Sequence, residues 1–153
     1  MPSYKNRVWD RYWRLLVISE AERSEKRKWV RWINLKLPIH WKIWKKTEFL
    51  WMNFYRNAHF RTLSKLKIDY TNSLSELKWK RLKTPISITY IFHPSRSGQD
   101  MDNCISVASK FLQDSLVHYG VIEWDTYQHI SLTTNIAWEK DKEWFIEVCI
   151  EEI

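Results

Sequence analysis

The sequence predicts an α+β domain: a small mixed or antiparallel sheet of about four strands packed on two helices, with an extra N-terminal helix. Three observations carry this expectation. Apolar residues alternate over 31–38, 85–92 and 143–151, the period of two that half-buried strands require. Over 57–78 and again up to Tyr119 they recur every three or four positions, as on one helix face. A length of 153 residues fits one domain that can bury a real core.

The elements follow in order. Residues 4–30 read as a helix with Trp9, Tyr12, Trp13, Leu16 and Ile18 in a stripe and a solvated Glu- and Lys-rich run at 19–28. This divides the chain into an N-terminal helical extension, residues 1–30, and a main domain, residues 31–153. Within the second, 31–38 is a strand with Ile33, Leu35 and Leu37 inward, ended by Pro38. The Trp- and Lys-rich stretch from His40 to Phe54 is irregular in period and reads as a loop or short helix around Asn53, Tyr55 and Arg56. A helix over 57–78 turns Leu63, Leu66, Ile68 or Tyr70, Leu74 and Leu77 inward. The strand 85–92 places Ile86, Ile88, Tyr90 and Phe92 on one face. A turn-rich loop, 93–98, leads to Asp100.

The next helix carries Ile105, Ala108, Leu112, Ser115, Leu116 and Tyr119 on one stripe, with Asp102 or Asn103 as N-cap and Gly120 at the left-handed C′ position. Residues 127–138 and 143–151 are expected to close the chain as an antiparallel pair.

Composition excludes several functions. The only glycines are Gly98 and Gly120, so there is no glycine-rich cradle for a nucleotide phosphate. Cys104 and Cys149 belong to no metal-binding or redox spacing and read as buried hydrophobes of a reducing compartment. No signal peptide or apolar span is legible, so a soluble, cytoplasmic protein is expected.

The net charge of +7 is unevenly placed. Residues 1–83 hold 21 Lys and Arg against 7 Asp and Glu; residues 84–153 hold 4 against 11. A basic segment able to track phosphates thus precedes an acidic one able to hold a divalent cation. Of the 11 tryptophans, seven lie at or before position 51, interleaved with Lys and Arg. They either pack inward or stack on unpaired bases.

The acidic segment is the most informative. Asp100 and Asp102 alternate ahead of the helix and Asp125 follows it. Oxygen-only carboxylate sets suit Mg²⁺. The run Asp-x-Asp-Asn, a helix containing Phe-Leu-x-Asp-x-Leu, then Gly and a later acid resembles the RusA-type Holliday-junction endonucleases. The likeness is densest from Asp100 to Asp125 and looser over about residues 33 to 152.

The resemblance implies that Asp100, Asp102 and Asp125 bind Mg²⁺ (or Mn²⁺) and are catalytic, and that the protein is a homodimer cutting branched DNA. It also marks the loop after the first strand as DNA-facing. With charge, that makes Lys42, Lys45, Lys46, Arg56 and Arg61 candidate phosphate contacts, to which charge alone adds Lys78, Lys80, Arg81 and Arg96. The chain departs from the family pattern twice. Ser106 stands where the family has a lysine, with Lys110 the nearest replacement, and Trp124 precedes Asp125 where a second acid is usual, with Glu123 close by. His93 is either a ligand or base, or structural. The rival expectation is a non-catalytic nucleic-acid-binding protein of the same fold.

Overall fold

A computed structural model describes residues 30–43 and 45–153. The expected N-terminal helix lies outside the described residues but for Val30, whose backbone N–H donates to the Arg81 carbonyl at 3.2 Å.

The fold is α+β. Strands β1 (Trp32–Pro38), β4 (Ile86–His93), β5 (Ile130–Ala137) and β6 (Phe145–Glu152) form a mixed sheet in the order β1-β6-β4-β5. Strands β2 (His40–Ile43) and β3 (Lys46–Phe49) form a separate hairpin. Helices α1 (Met52–Asn57), α2 (Phe60–Ser73) and α3 (Met101–His118) complete the domain, with a 3-10 turn at Ser75–Trp79.

Register explains the core. Ile33, Leu35 and Leu37 of β1 stand opposite Ile150, Val148 and Ile146 of β6, which stand opposite Ile88, Tyr90 and Phe92 of β4. Nearly all of these are excluded from solvent. Side chains of period two therefore meet in rows across three strands. Helix α3 is buried on two sides. Besides Ile105, Ala108, Leu112 and Leu116 it buries Cys104, Val107 and Phe111, a second stripe that the sequence reading lacked. Phe111 meets Tyr55 of α1 and Tyr70 of α2 at ring-centre distances of 6.1 and 5.3 Å. The polar Ser115 survives at 0 % exposure because its hydroxyl donates to the Phe111 carbonyl and pairs with Thr71.

Four local expectations are corrected. First, 40–49 is a β-hairpin: His40-Trp41-Lys42-Ile43 pairs with Lys46-Thr47-Glu48-Phe49. Only positions 44 and 45 join the strands, and neither is the Gly or Asn that advertises such a turn. Second, the helix expected over 57–78 begins at Phe60, because Ala58 and His59 are extended and the His59 ring accepts from the Arg61 N–H. It tightens past Ser73 into the 3-10 turn, and its inner residue is Tyr70, while Ile68 is 61 % exposed.

Third, the N-cap of α3 is Asp100, whose Oδ1 accepts the Asn103 N–H at 3.2 Å. Gly120 does follow the helix with φ +63, a conformation that L side chains rarely adopt. Fourth, β5 and β6 are not paired. Strand β5 runs parallel to β4 after the α3 crossover that parallel neighbours need, and β6 lies antiparallel on the other side of β4. No helix of the described residues is long and apolar enough to cross a membrane.

Candidate functional site

Asp100 and Asp102 stand at the N-terminus of α3, both exposed. Asp100 is held in place by the cap and by the Asn103 side-chain amide, which donates to its Oδ2 at 2.6 Å. The loop before it is organised by Gln99, whose side-chain oxygen accepts the backbone N–H groups of Ser95 and Arg96 at 2.8 and 3.1 Å. The backbone at Arg96 is thereby held, and Arg96 lines the same cavity as Asp100.

Arg96, Gln99, Asp100 and Asn103, but not Asp102, border a cavity of about 640 Å³, to which the β2–β3 hairpin contributes a wall. His40 and Thr47 of the hairpin, Phe49 and Trp51 after it, Asn53 of α1, and Lys142 and Trp144 from the loop before β6 line it. The Phe49 ring lies 4.4 Å from Trp144 and 6.3 Å from Trp51, while Phe49 and Trp51 are 40 % and 43 % exposed. Trp144 sits at φ +48, a strained setting for a bulky residue, with its indole nitrogen buried and without a hydrogen-bond partner. A half-exposed aromatic wall thus borders a cavity that Asp100, Glu143, Arg96 and Lys142 also line. The sequence signal for the hairpin was confined to 40–43, where Trp41 and Ile43 alternate with His40 and Lys42.

Asp125 lies elsewhere. It borders a different cavity, of about 440 Å³, with Lys67, Asp114, His118 and Trp124. That is the C-terminal end of α3, and 18 helical residues at about 1.5 Å each separate the ends by about 27 Å. Among the described residues no group of three or more His, Cys, Asp or Glu side chains is placed to hold one metal ion. The expected convergence of Asp100, Asp102 and Asp125 within one chain is therefore corrected: a rigid helix holds the third carboxylate away.

No protein-family model and no curated protein matches this chain.

The remaining candidates are spread over other parts of the surface. Lys42 and Arg61 come together with Lys65 and Asp69 around a cavity of about 240 Å³ between the hairpin and α2. Lys45 and Lys46 are exposed at the hairpin tip, and Arg56 is exposed in the last turn of α1. Lys78 and Arg81 lie at the far end of α3. Lys78 stands 5.8 Å from the Tyr119 ring, and the Arg81 guanidinium donates to the carbonyls of Lys80 and Tyr119 at 2.7 and 3.1 Å. Arg81 thus closes the carbonyl end of α3, a structural task that suits a cation there. Lys80 is half-buried beside it.

Lys110 is exposed, but eight residues after Asp102 it stands about 12 Å further along the helix. The Ser106 hydroxyl is turned back onto the Asp102 carbonyl. Glu123 is exposed, and its carboxylate approaches His129 at 4.0 Å. His93 is buried, stacked on Phe145 at 4.4 Å and 3.3 Å from the Glu147 carboxylate. That is the structural alternative of the two.

Burial acts on three groups near α3. It pushes the Cys104 thiol up to about 11, with the Asp100 charge adding in the same direction. It pushes the Tyr90 phenol up to about 12, and raises Tyr70 further. Cys104 is held as the neutral thiol at physiological pH, so a nucleophilic role beside Asp100 has no support.

Proposed function

We propose that this protein is a metal-dependent endonuclease acting on four-way or related branched DNA, as the resemblance to RusA-type enzymes implies, with each site completed by a second copy of the chain. The observation that carries the reading is Asp100, the N-cap of α3, which lines one cavity with Arg96, Lys142, Glu143 and an aromatic wall, with Asp102 exposed two residues on in the first turn. Two carboxylates with phosphate oxygens and water form the donor set that Mg²⁺ takes. In that setting the cation supplies a nucleophilic water and neutralises charge on the scissile phosphate.

The chain's own residues do the rest. The Asn103 amide and the cap hold the Asp100 carboxylate in one orientation. Arg96 and Lys142 offer phosphate contacts, and Phe49 and Trp51 offer faces on which an unpaired base can stack. Asp125 cannot join this site in its own chain, so the reading requires the partner's Asp125. A homodimer also supplies two equivalent sites for the two strands of a junction.

The separation of the carboxylates equally favours a second reading, a nucleic-acid-binding protein that does not cut. One experiment separates the two. A synthetic four-way junction is incubated with protein in Mg²⁺, Mn²⁺ or EDTA and symmetric nicks are scored. Metal-dependent nicking supports the enzyme, and binding without nicking in both metals supports the binder. Asp102→Asn is expected to abolish nicking while junction binding stays intact or tightens. Mixing inactive Asp102→Asn with inactive Asp125→Asn protein is expected to restore nicking, because a mixed dimer carries one intact shared site. A mixture that stays inactive, with mixed dimers demonstrated, counts against the shared site.

A further inference from the structure

The two faces of the main sheet differ in what lies on them. Through Leu35, Val148 and Tyr90, one face joins the core that α2 and α3 complete. Alternate residues of the same strands point the other way. Among them Ile91, Phe145 and Cys149 stand outside that core, yet they are only 6 %, 8 % and 8 % exposed. Lys36 reaches over the Phe145 ring at 3.8 Å and His93 stacks on it, which accounts for Phe145 alone. Asn34, level with Cys149, has both side-chain amide atoms out of solvent and without a hydrogen-bond partner. An uncovered sheet face leaves side chains such as Ile91 and Asn34 in water, where an amide is satisfied. The burial of this face therefore needs a cover that the helices of the first face cannot give.

We infer that the cover is the chain's own N-terminal segment, which lies outside the described residues, seated through the stripe Trp9, Tyr12, Trp13 and Leu16. This inference is independent of the nuclease reading. Length and point of entry suit it. Twenty-nine residues precede Val30, and the Arg31 carbonyl accepts the Glu152 N–H at 3.0 Å, so the segment joins the sheet itself at the start of β1. The 13 residues between Leu16 and Val30 reach about 20 Å even as a helix, against about 23 Å for the whole of β1. At helical rise the stripe is about 10 Å long, the width of three neighbouring strands. The chemistry matches as well. The stripe brings apolar rings to Ile91 and Cys149, and indole N–H donors of the kind that the Asn34 oxygen lacks. Residues 1–29 hold 8 Lys and Arg against 4 Asp and Glu, and the face presents Glu147 and Glu151. The aromatic residues of this segment are thereby committed to packing within one chain, not to stacking on bases.

The test reads thiols in the full chain. Cys149 lies on this face and Cys104 in the core of the other, and both are buried. Labelling with N-ethylmaleimide, followed by peptide mass mapping, is expected to be slow at both in the wild type. Trp9→Glu/Trp13→Glu is expected to speed labelling of Cys149 by about tenfold or more and to leave Cys104 unchanged. Dilution is expected to change neither wild-type rate. A wild-type Cys149 that labels as fast as a free thiol, or one that stays protected in the glutamate variant, overturns the inference. So does protection that fades on dilution, which places a second copy on the face. A second variant keeps the aromatic character, in case the glutamates unfold the chain and both thiols open together. Tyr12→p-benzoylphenylalanine is expected, on irradiation, to link within one chain to residues 87–93 or 145–151. Links to other segments or to another chain overturn the inference. Neither readout uses DNA, so a protein that never cuts a junction leaves this cover standing and loses only the nuclease reading.

Discussion

Asp100 is asked to do two things, and one pair of substitutions separates them. As N-cap it accepts the Asn103 N–H at 3.2 Å and orients the Asn103 amide at 2.6 Å. Replacing such a cap with alanine costs about 0.5–2 kcal/mol. The negative charge on the first turn adds about 0.3–1 kcal/mol from the helix dipole, at the low end here because Asp100 is exposed. Asp100→Ala loses both, about 1.5 kcal/mol. Asp100→Asn keeps a capping oxygen and loses only the charge, about 0.5 kcal/mol. For a domain of this size each kcal/mol moves the melting temperature by about 2–4 °C. The alanine variant should therefore melt about 3–6 °C lower and the asparagine variant about 1–2 °C lower. Circular-dichroism melts measure this, paired with junction nicking in Mg²⁺, where both variants are expected to be inactive. Equal melting losses would refute the cap argument. Wild-type nicking by folded Asp100→Asn would refute the metal-ligand role.

Three further outcomes are expected. Lys110→Ala should leave junction turnover within about twofold, since its side chain starts about 12 Å along α3 from Asp102; a loss of a hundredfold would restore it as the surrogate lysine. Leu112→Ala, at a position with 0 % exposure, should cost about 2–5 kcal/mol in urea unfolding, and a change below about 1 kcal/mol would contradict the packing described. Stability should also fall in alkali. The folded Cys104 and Tyr90 titrate at about 11 and about 12 against ordinary values of 9.0 and 10.0. Folded chains keep these protons longer than unfolded ones, so the contribution is whole below pH 9 and is lost as pH rises towards 11 and 12. The slope is about 1.4 kcal/mol per pH unit for each group while its window is crossed. Urea midpoints from pH 8 to 11 measure it, and a flat profile contradicts it.

How much of the fold was legible depended on whether a local pattern or a long-range pairing decided it. Strands β1 and β4 and the inner face of α3 were fixed by periodicity, because Ile33, Leu35 and Leu37, or Ile105, Ala108 and Leu112, report burial on their own element. The hairpin was hidden by its connection: Trp41 and Ile43 alternate with His40 and Lys42, but no turn residue announced the reversal. The partnership of β5 was hidden for another reason. Its exposed Leu132 and half-buried Ile136 are spaced as a strand in either arrangement, and only the α3 crossover makes β4 its parallel neighbour. Sequential strands pair often enough to make β5–β6 the natural guess.

The site follows the same division. That Arg96 and Asp100 line one cavity was readable because few residues separate them, and Gln99 holds the loop between. Asp102 and Asp125 are also close in sequence terms, but the intervening chain is a straight rod and not a flexible loop. Residue count therefore measured their separation rather than their proximity. The same rod makes the shared-site reading testable. A flexible connection could have gathered three carboxylates in one chain, whereas α3, buried on two sides and capped at both ends by Asp100 and Arg81, cannot fold back without losing its core. Any chemistry that needs all three acids must recruit Asp125 from another molecule, and its rate must then fall with dimer concentration on dilution.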